Sequence, residues 1–309
     1  MIANWHDLEP TREAVGPIEY DGWDLGTAAG TVEIGVTRAR ILPRRQSSPV
    51  HVEVAEEEIF YVLDGSGLSW QDGKTYDVRR GDAIVHVAGA EAHTLVAGAD
   101  GLDVLAFGER ATPALTWLPR PRVARMGISL HVPQLDPWAL EAEQGELDVP
   151  DPGPRPANIV NADELEGEDG WAEIGVPAGS MTTGMMRRRV PPGELNNMPH
   201  CHAVEEEIFV VLEGSGTLEL TPSPTLVFNG AEPEAHAVRA GDVVSRPGST
   251  RMAHTFRAGA DGLLLLQYGQ RRPNDIVYYP RSNKINFRGV GVIARLDALS
   301  WEEGEESQT

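Results

Sequence analysis

The chain has 309 residues and a formal net charge of −21, 26 Lys and Arg standing against 47 Asp and Glu. That balance excludes a cationic nucleic-acid footprint and sets the protein against an anionic membrane surface. The length suits two domains of ordinary size, and the single cysteine, Cys201, excludes an internal disulfide framework.

With 33 Gly and 23 Pro punctuating many short apolar runs, the pattern predicts β structure throughout rather than helix bundles. In chain order, Met1–Asp7 lacks the basic and apolar regions of a secretory leader, so a cytoplasmic protein is expected. Glu56-Glu57-Glu58 leads into the strand Ile59–Leu63, which ends at Asp64-Gly65. A second strand, Ala83–Val87, carries His86, and His93 follows. Asp136 and Pro137 mark a short helix as N-cap and first residue, running to Glu143. The run Pro150-Asp151-Pro152-Gly153-Pro154-Arg155-Pro156 reads as a stiff linker. Beyond it come Arg187-Arg188-Arg189, the strand Ile208–Leu212, a turn-rich stretch from Thr221 to Glu234, and His254. The most apolar stretch, Leu263 to Leu266, is only a strand's worth, so no membrane span is expected. The terminal Glu302-Glu303-Gly304-Glu305-Glu306 run reads as a disordered tail.

An internal repeat organises these elements. Residues 56–67 recur at 205–216 with ten of twelve positions identical, and residues 92–102 recur at 253–263 with nine of eleven. The C-terminal copy holds twelve extra residues between the two blocks, most of them in the Thr221–Glu234 stretch. Two copies of one fold follow.

In the C-terminal copy, His200 and His202 are two residues apart, so on a strand both imidazoles aim at one side. Glu207 opens the next strand, and His254 must arrive from a distant one. Three imidazoles and a carboxylate suit a divalent transition metal better than Mg²⁺ or Ca²⁺. Fe or Mn is the expected ion, with Zn, Ni or Cu as alternatives. In the N-terminal copy, His51, Glu53, Glu58 and His93 occupy the matching positions as a possible second site. There Glu53 replaces an imidazole, so the second site is expected to be the weaker.

This pattern resembles the cupin superfamily, whose first motif is His-x-His, four residues, Glu, six residues, Gly. His200, His202, Glu207 and Gly214 match it. Gly241-Asp242, Pro247-Gly248 and His254 resemble the second motif, with His254 six residues beyond Gly248 where the family usually has three. The resemblance implies an all-β chain of two tandem double-stranded β-helix, or jelly-roll, barrels joined by the Pro-rich linker. The expected division is an N-terminal barrel over 1–127, a linker with the short helix over 128–157, a C-terminal barrel over 158–300 and an acidic tail over 301–309.

Several residues receive plainer readings. Alternation turns Cys201 away from the metal, and Met198 either packs or lines the pocket mouth. His86 and His236 do not recur as histidines and read as structural. Glu56, Glu57, Glu205 and Glu206 read as solvated turns. Arg187, Arg188, Arg189 and Arg246 read as a solvated strand face, although they could reach an anionic substrate. The Thr221–Glu234 stretch is either a lid or a longer hairpin.

The fold alone names no reaction. The leading expectation is a metal-dependent oxidoreductase of dioxygenase type acting on a small oxygenated molecule. The alternatives are a non-redox isomerase or decarboxylase, and a binding protein without turnover. No catalytic residue is singled out, and no organic cofactor is expected. The expected partners are a small molecule and a second copy of the chain as a homodimer.

Overall fold

A computed structural model describes residues 1–127, 136–297, 299 and 303. The reading of a disordered tail at 301–309 therefore lies, Glu303 apart, outside the described residues, as does 128–135 of the linker.

Each repeat folds into a β-sandwich made of a large sheet and a small one. In the N-terminal half, Glu58–Gln71 and His93–Glu109 form the spine of an eight-stranded sheet, opposed by a three-stranded sheet that includes Val52–Glu53. In the C-terminal half, Glu207–Pro222 and Met252–Gln270 form the same spine, opposed by a four-stranded sheet that includes Cys201–His202. Both spines bend at register shifts, between Val211 and Glu213 and between Gly214 and Gly216 in the C-terminal copy. Gly214 is required at that bend. Its φ is +82°, and an added Cβ would lie 2.1 Å from the Gly262 carbonyl oxygen.

The run Ile208–Leu212 is apolar without alternation because both faces of its strand are covered. Phe209 and Val211 face the barrel core with Val190, Leu218, Phe256 and Leu265. Ile208 and Val210 face a seam shared with the other barrel, beside Ile34, Ile59, Tyr61, Phe107 and Tyr268. Phe107 and Tyr268, equivalent residues of the two copies, pack against each other across this seam with ring centroids 5.0 Å apart.

The halves also exchange strands. Ile2–Asn4 pairs with Asp242–Arg246 of the C-terminal barrel, and Ile159–Asn161 pairs with Asp82–His86 of the N-terminal one. Each borrowed strand is pinned by an amide on a carboxylate: Asn4 Nδ2 donates to Asp242 Oδ1 at 2.7 Å, and Asn161 Nδ2 to Asp82 Oδ1 at 2.8 Å. Two sheet edges are thereby closed within the chain.

The helix Pro137–Glu143 is capped by Asp136, which accepts from the Trp138 and Ala139 amides. The Pro-rich run lies along the N-terminal barrel: the Gly153 amide donates to the Thr75 carbonyl, and Arg155 forks onto Asp82. In the Thr221–Glu234 stretch, the strands Glu207–Pro222 and Glu234–Arg239 continue one hairpin, with the short helix Pro224–Phe228 between them.

The reading of the paired glutamates as solvated turns is corrected. Glu57, Glu205 and Glu206 are buried. Strand parity explains it: Glu207 shares a face with Phe209 and points into its barrel, so Glu206 shares a face with Ile208 and enters the seam. There it accepts from the Val32, Glu33 and Ile34 amides and the Ser245 hydroxyl. Glu57 repeats the arrangement, accepting from the Met181 and Thr183 amides and the hydroxyls of Ser180 and Thr183.

Candidate metal centre

The C-terminal donors meet at the start of the two spine strands. Glu207 begins one, His254 lies near the start of the other, and His200 is bridged to His254 through paired backbone hydrogen bonds. His202 comes from the short strand of the opposing sheet. Glu207 Oε2 lies 3.0 Å from His254 Nε2, 3.4 Å from His202 Nε2 and 3.8 Å from His200 Nε2.

The chemistry of this cluster fits a cation. Glu207 Oε2, His202 Nε2 and His254 Nε2 are buried without any hydrogen-bond partner; the 3.0 Å approach of His254 to Glu207 is not aligned as one. Leaving such atoms unpaired costs about 1–3 kcal/mol each. An ion with bonds of about 2.1 Å places neighbouring donors about 3 Å apart and satisfies all of them at once. The other atoms of these side chains are already committed. His200 Nδ1 donates to the Met198 carbonyl at 2.8 Å and His202 Nδ1 to Asp275 Oδ2 at 2.7 Å, which leaves the Nε2 lone pairs facing inward. Gln267 Nε2 donates to Glu207 Oε1 at 2.6 Å, so only Oε2 is free. Phe209 packs edge-on to the His254 ring, with centroids 5.2 Å apart, and shields it from water.

Electrostatics agree. Burial would raise the Glu207 carboxyl, but His202, His254 and His200 hold it well below the usual carboxylate range. Burial pushes His254 down to about 4, so it is neutral near pH 7. Burial would also lower His202, but Glu207, Asp275 and Glu205 outweigh it and raise its pKa above 6.5. An imidazole must lose its proton to bind a metal, so affinity should climb as pH rises through neutrality and fall on acidification. Calorimetry of Mn²⁺ binding in buffers of different ionisation enthalpy should show proton release at pH 7, and His202→Ala should reduce it.

Asp275 and Gln267 escaped the sequence reading, because they come from distant positions outside any repeated motif. Asp275 is buried, accepts from the Val204 and Glu205 amides, and is depressed by His202 against the effect of burial. It forms a group with His202 and Glu205 on the Nδ1 side of the ring. There Glu205 already accepts from the Arg272 amide and pairs with Arg288. Asp275→Asn is expected to weaken Mn²⁺ binding about 10- to 100-fold while the melting temperature stays close to wild type. Equilibrium dialysis against a metal indicator measures the first.

The N-terminal cluster is built differently. His51, Glu58 and His93 come together, and Glu58 Oε2 is hydrogen-bonded to His93 Nε2 at 2.9 Å and to His51 Nε2 at 3.3 Å. Burial opposes it, but Glu58, Glu53 and the Pro49 carbonyl raise His51 to about 9, so the group closes on itself as a hydrogen-bonded ion pair. Glu53 stands apart, 3.9 Å from His51, its carboxylate accepting one shared hydrogen bond from the Thr116 hydroxyl. His86 stacks on His93 with centroids 3.7 Å apart.

The remaining candidates are placed as follows. Cys201 is buried and pairs with Tyr278, and His236 is exposed beside Glu234. Arg187 is buried against Asp163 and Glu166, Arg189 also pairs with Glu166, and Arg188 stacks on Trp171. These three are occupied by the scaffold. Met198 is exposed and lines a cavity of about 450 Å³ with Asn197, Pro199, Tyr279 and Lys284, over the outer side of His200.

Residues 37–106 match the Cupin domain family. No curated protein matches the chain. Among solved structures, the chain is similar to oxalate decarboxylase from Bacillus subtilis at pH 4.6, with 17% identity and a TM-score of 0.59 over 87% of this chain and 75% of that one. It is similar to the R92A mutant of the same enzyme, with 17% identity and a TM-score of 0.60 over 89% and 78%. A structure of that enzyme concerned with its Mn(II) centres gives 16% identity and a TM-score of 0.59 over 89% and 78%. At these identities the likeness is one of fold.

Proposed function

We propose that this chain, which has the two-barrel fold of the cupin superfamily, is a metal-dependent enzyme whose C-terminal barrel removes carbon dioxide from a small carboxylate without net oxidation. The observation that carries the reading is the convergence of unpaired Nε2 and Oε2 atoms of His202, His254 and Glu207 on one buried point. The similar structures named as oxalate decarboxylase support decarboxylation over the dioxygenase-type reaction expected from the ligand set alone.

His200, His202, Glu207 and His254 would hold a divalent transition ion, Mn or Fe fitting the mixed imidazole and carboxylate donors. A bound ion supplies Lewis-acid polarisation of the substrate's oxygen atoms. The chain's own residues set the rest. Asp275 keeps His202 in the tautomer whose Nε2 faces inward, and Gln267 keeps Glu207 from rotating. The aromatic wall at Phe209 and Phe256 keeps the donors dry, which strengthens every charge interaction inside. In the overall reaction the bond to the carboxylate carbon breaks, carbon dioxide leaves, and one proton replaces it on the product. No oxidant is consumed.

Mn²⁺-loaded protein incubated with oxalate and a panel of small oxo- and hydroxy-acids should release carbon dioxide without stoichiometric oxygen uptake. Oxygen consumed in proportion to product would overturn decarboxylation in favour of oxygenation. Ligand binding without turnover of any panel member would leave a binding protein.

A further inference from the structure

The geometry points to Arg246 as a substrate-binding residue of the C-terminal barrel that grips a small chelating anion beside the ion-holding donors. The inference rests on the proposed metal centre and adds the charge class of its ligand and the residue that selects it.

Arg246 stands directly opposite Glu207 in the ladder between Glu207–Pro222 and Asp242–Arg246, so both side chains leave the same face of the sheet. That face carries Phe209 and looks into the barrel. The guanidinium is half-buried, yet among the described residues no carboxylate lies within ion-pairing distance of it. Its Nη2 donates to the Met252 carbonyl at 2.9 Å, and its buried Nε has no partner. Arg38 has Asp103 and Arg187 has Asp163 and Glu166, whereas Arg188, whose Nε is likewise buried without a partner, lies over the Trp171 ring on the outer strand pair and not beside the donors. A guanidinium taken out of water without a counter-ion is costly, and its planar fork is shaped for a carboxylate.

Charge counting gives the sign of the missing group. With a divalent ion on neutral imidazoles, Glu207 and Asp275 cancel its charge, and Arg246 is left unmatched. Glu205 is neutralised separately by Arg288. A chelating anion that binds the ion through two oxygens and turns another toward Arg246 supplies that charge, a monoanion balancing the site and a dianion carrying one negative charge beyond balance. The N-terminal barrel lacks this feature. His86 occupies the matching register position opposite Glu58, and its Nδ1 is already partnered by Glu91 Oε1 at 2.5 Å.

The test compares oxalate with oxamide, its neutral isostere, by calorimetry on Zn²⁺-loaded wild type, Arg246→Met and Arg246→Lys, with metal content checked by elemental analysis. The expected result is a loss of oxalate affinity of about 10- to 100-fold in Arg246→Met, as for removal of a charge-assisted hydrogen bond. Arg246→Lys should lose less, and oxamide affinity and metal content should stay within twofold. Oxalate affinity unchanged in Arg246→Met overturns the inference. So does parallel loss of both ligands, which would mark Arg246 as a brace for the Met252 backbone. Should the methionine variant fail to fold, the wild type still decides: the Nε–H NMR resonance of Arg246, assigned by its absence in Arg246→Lys, must shift on adding oxalate, and no shift refutes the contact. Oxalate binding with this dependence but no carbon dioxide release from oxalate or any other panel acid by the Mn²⁺-loaded protein would sink the decarboxylase reading and leave Arg246 in place. Carbon dioxide release undiminished in Arg246→Met at low substrate would do the reverse.

Discussion

Replacing Glu206 by alanine is expected to destabilise the folded chain by about 3–6 kcal/mol, a large part of the about 5–15 kcal/mol that domains of this kind possess. The side chain is 1% exposed and receives the amides of Val32, Glu33 and Ile34 and the hydroxyl of Ser245. Alanine leaves the Ile34 amide buried with no acceptor and the Ser245 hydroxyl with only the Gly30 carbonyl at 3.5 Å, at about 1–3 kcal/mol for each, and takes a charged acceptor from the more exposed Val32 and Glu33 amides. The three amides belong to the N-terminal half and the carboxylate to the C-terminal half, so the loss falls on the seam rather than on either barrel core. Urea unfolding followed by tryptophan fluorescence measures it, and a change below about 1 kcal/mol would refute the clasp. Glu57→Ala should behave alike and add a pH signature. Burial would raise Glu57, but its hydrogen bonds to Met181, Thr183 and Ser180 bring it below 4.5. Its contribution is therefore present in full above 4.5 and is lost as pH falls through the lower folded value, so the wild type should lose more stability on acidification than Glu57→Ala.

Removing either of two imidazoles should empty the C-terminal centre. His200→Ala and His254→Ala each delete one of four donors beside Glu207 Oε2, so Mn²⁺ affinity is expected to fall by at least about 100-fold. The backbone hydrogen bonds between positions 200 and 254 do not involve the side chains, so the fold should persist. Elemental analysis after chelation and reloading should find about one ion fewer per chain than in wild type. The N-terminal His51→Ala change should have a much smaller effect, because that cluster closes through its own hydrogen bonds. Full metal retention in both C-terminal variants would remove the proposed site.

The repeat made two barrels legible, since near-identical blocks at 56–67 and 205–216 can only be two copies of one fold. Strand alternation made His200 and His202 legible as one donor pair. The same alternation, carried one residue back from Glu207, assigns Glu206 to the opposite face. That signal was present in the sequence, but a run of three glutamates looks like a solvated turn until something is known to cover the second face. The covering element is the other barrel.

The features legible from residue order are therefore local or periodic: the β class, the duplication, and the donor types with their spacing along each strand. These follow from side-chain chemistry and the two-residue period of a strand, which hold wherever the strand is placed. Tertiary structure alone decided which distant groups meet. Closure of the C-terminal barrel brings Asp275 and Gln267 onto His202 and Glu207 and sets Arg246 across the ladder from Glu207. Strand exchange ties Ile2–Asn4 to one barrel and Ile159–Asn161 to the other. Such pairings depend on ladder register and on the seam between two copies, and no short-range pattern encodes either, because the energy that fixes them comes from apolar surface and buried hydrogen bonds shared by residues far apart in the chain.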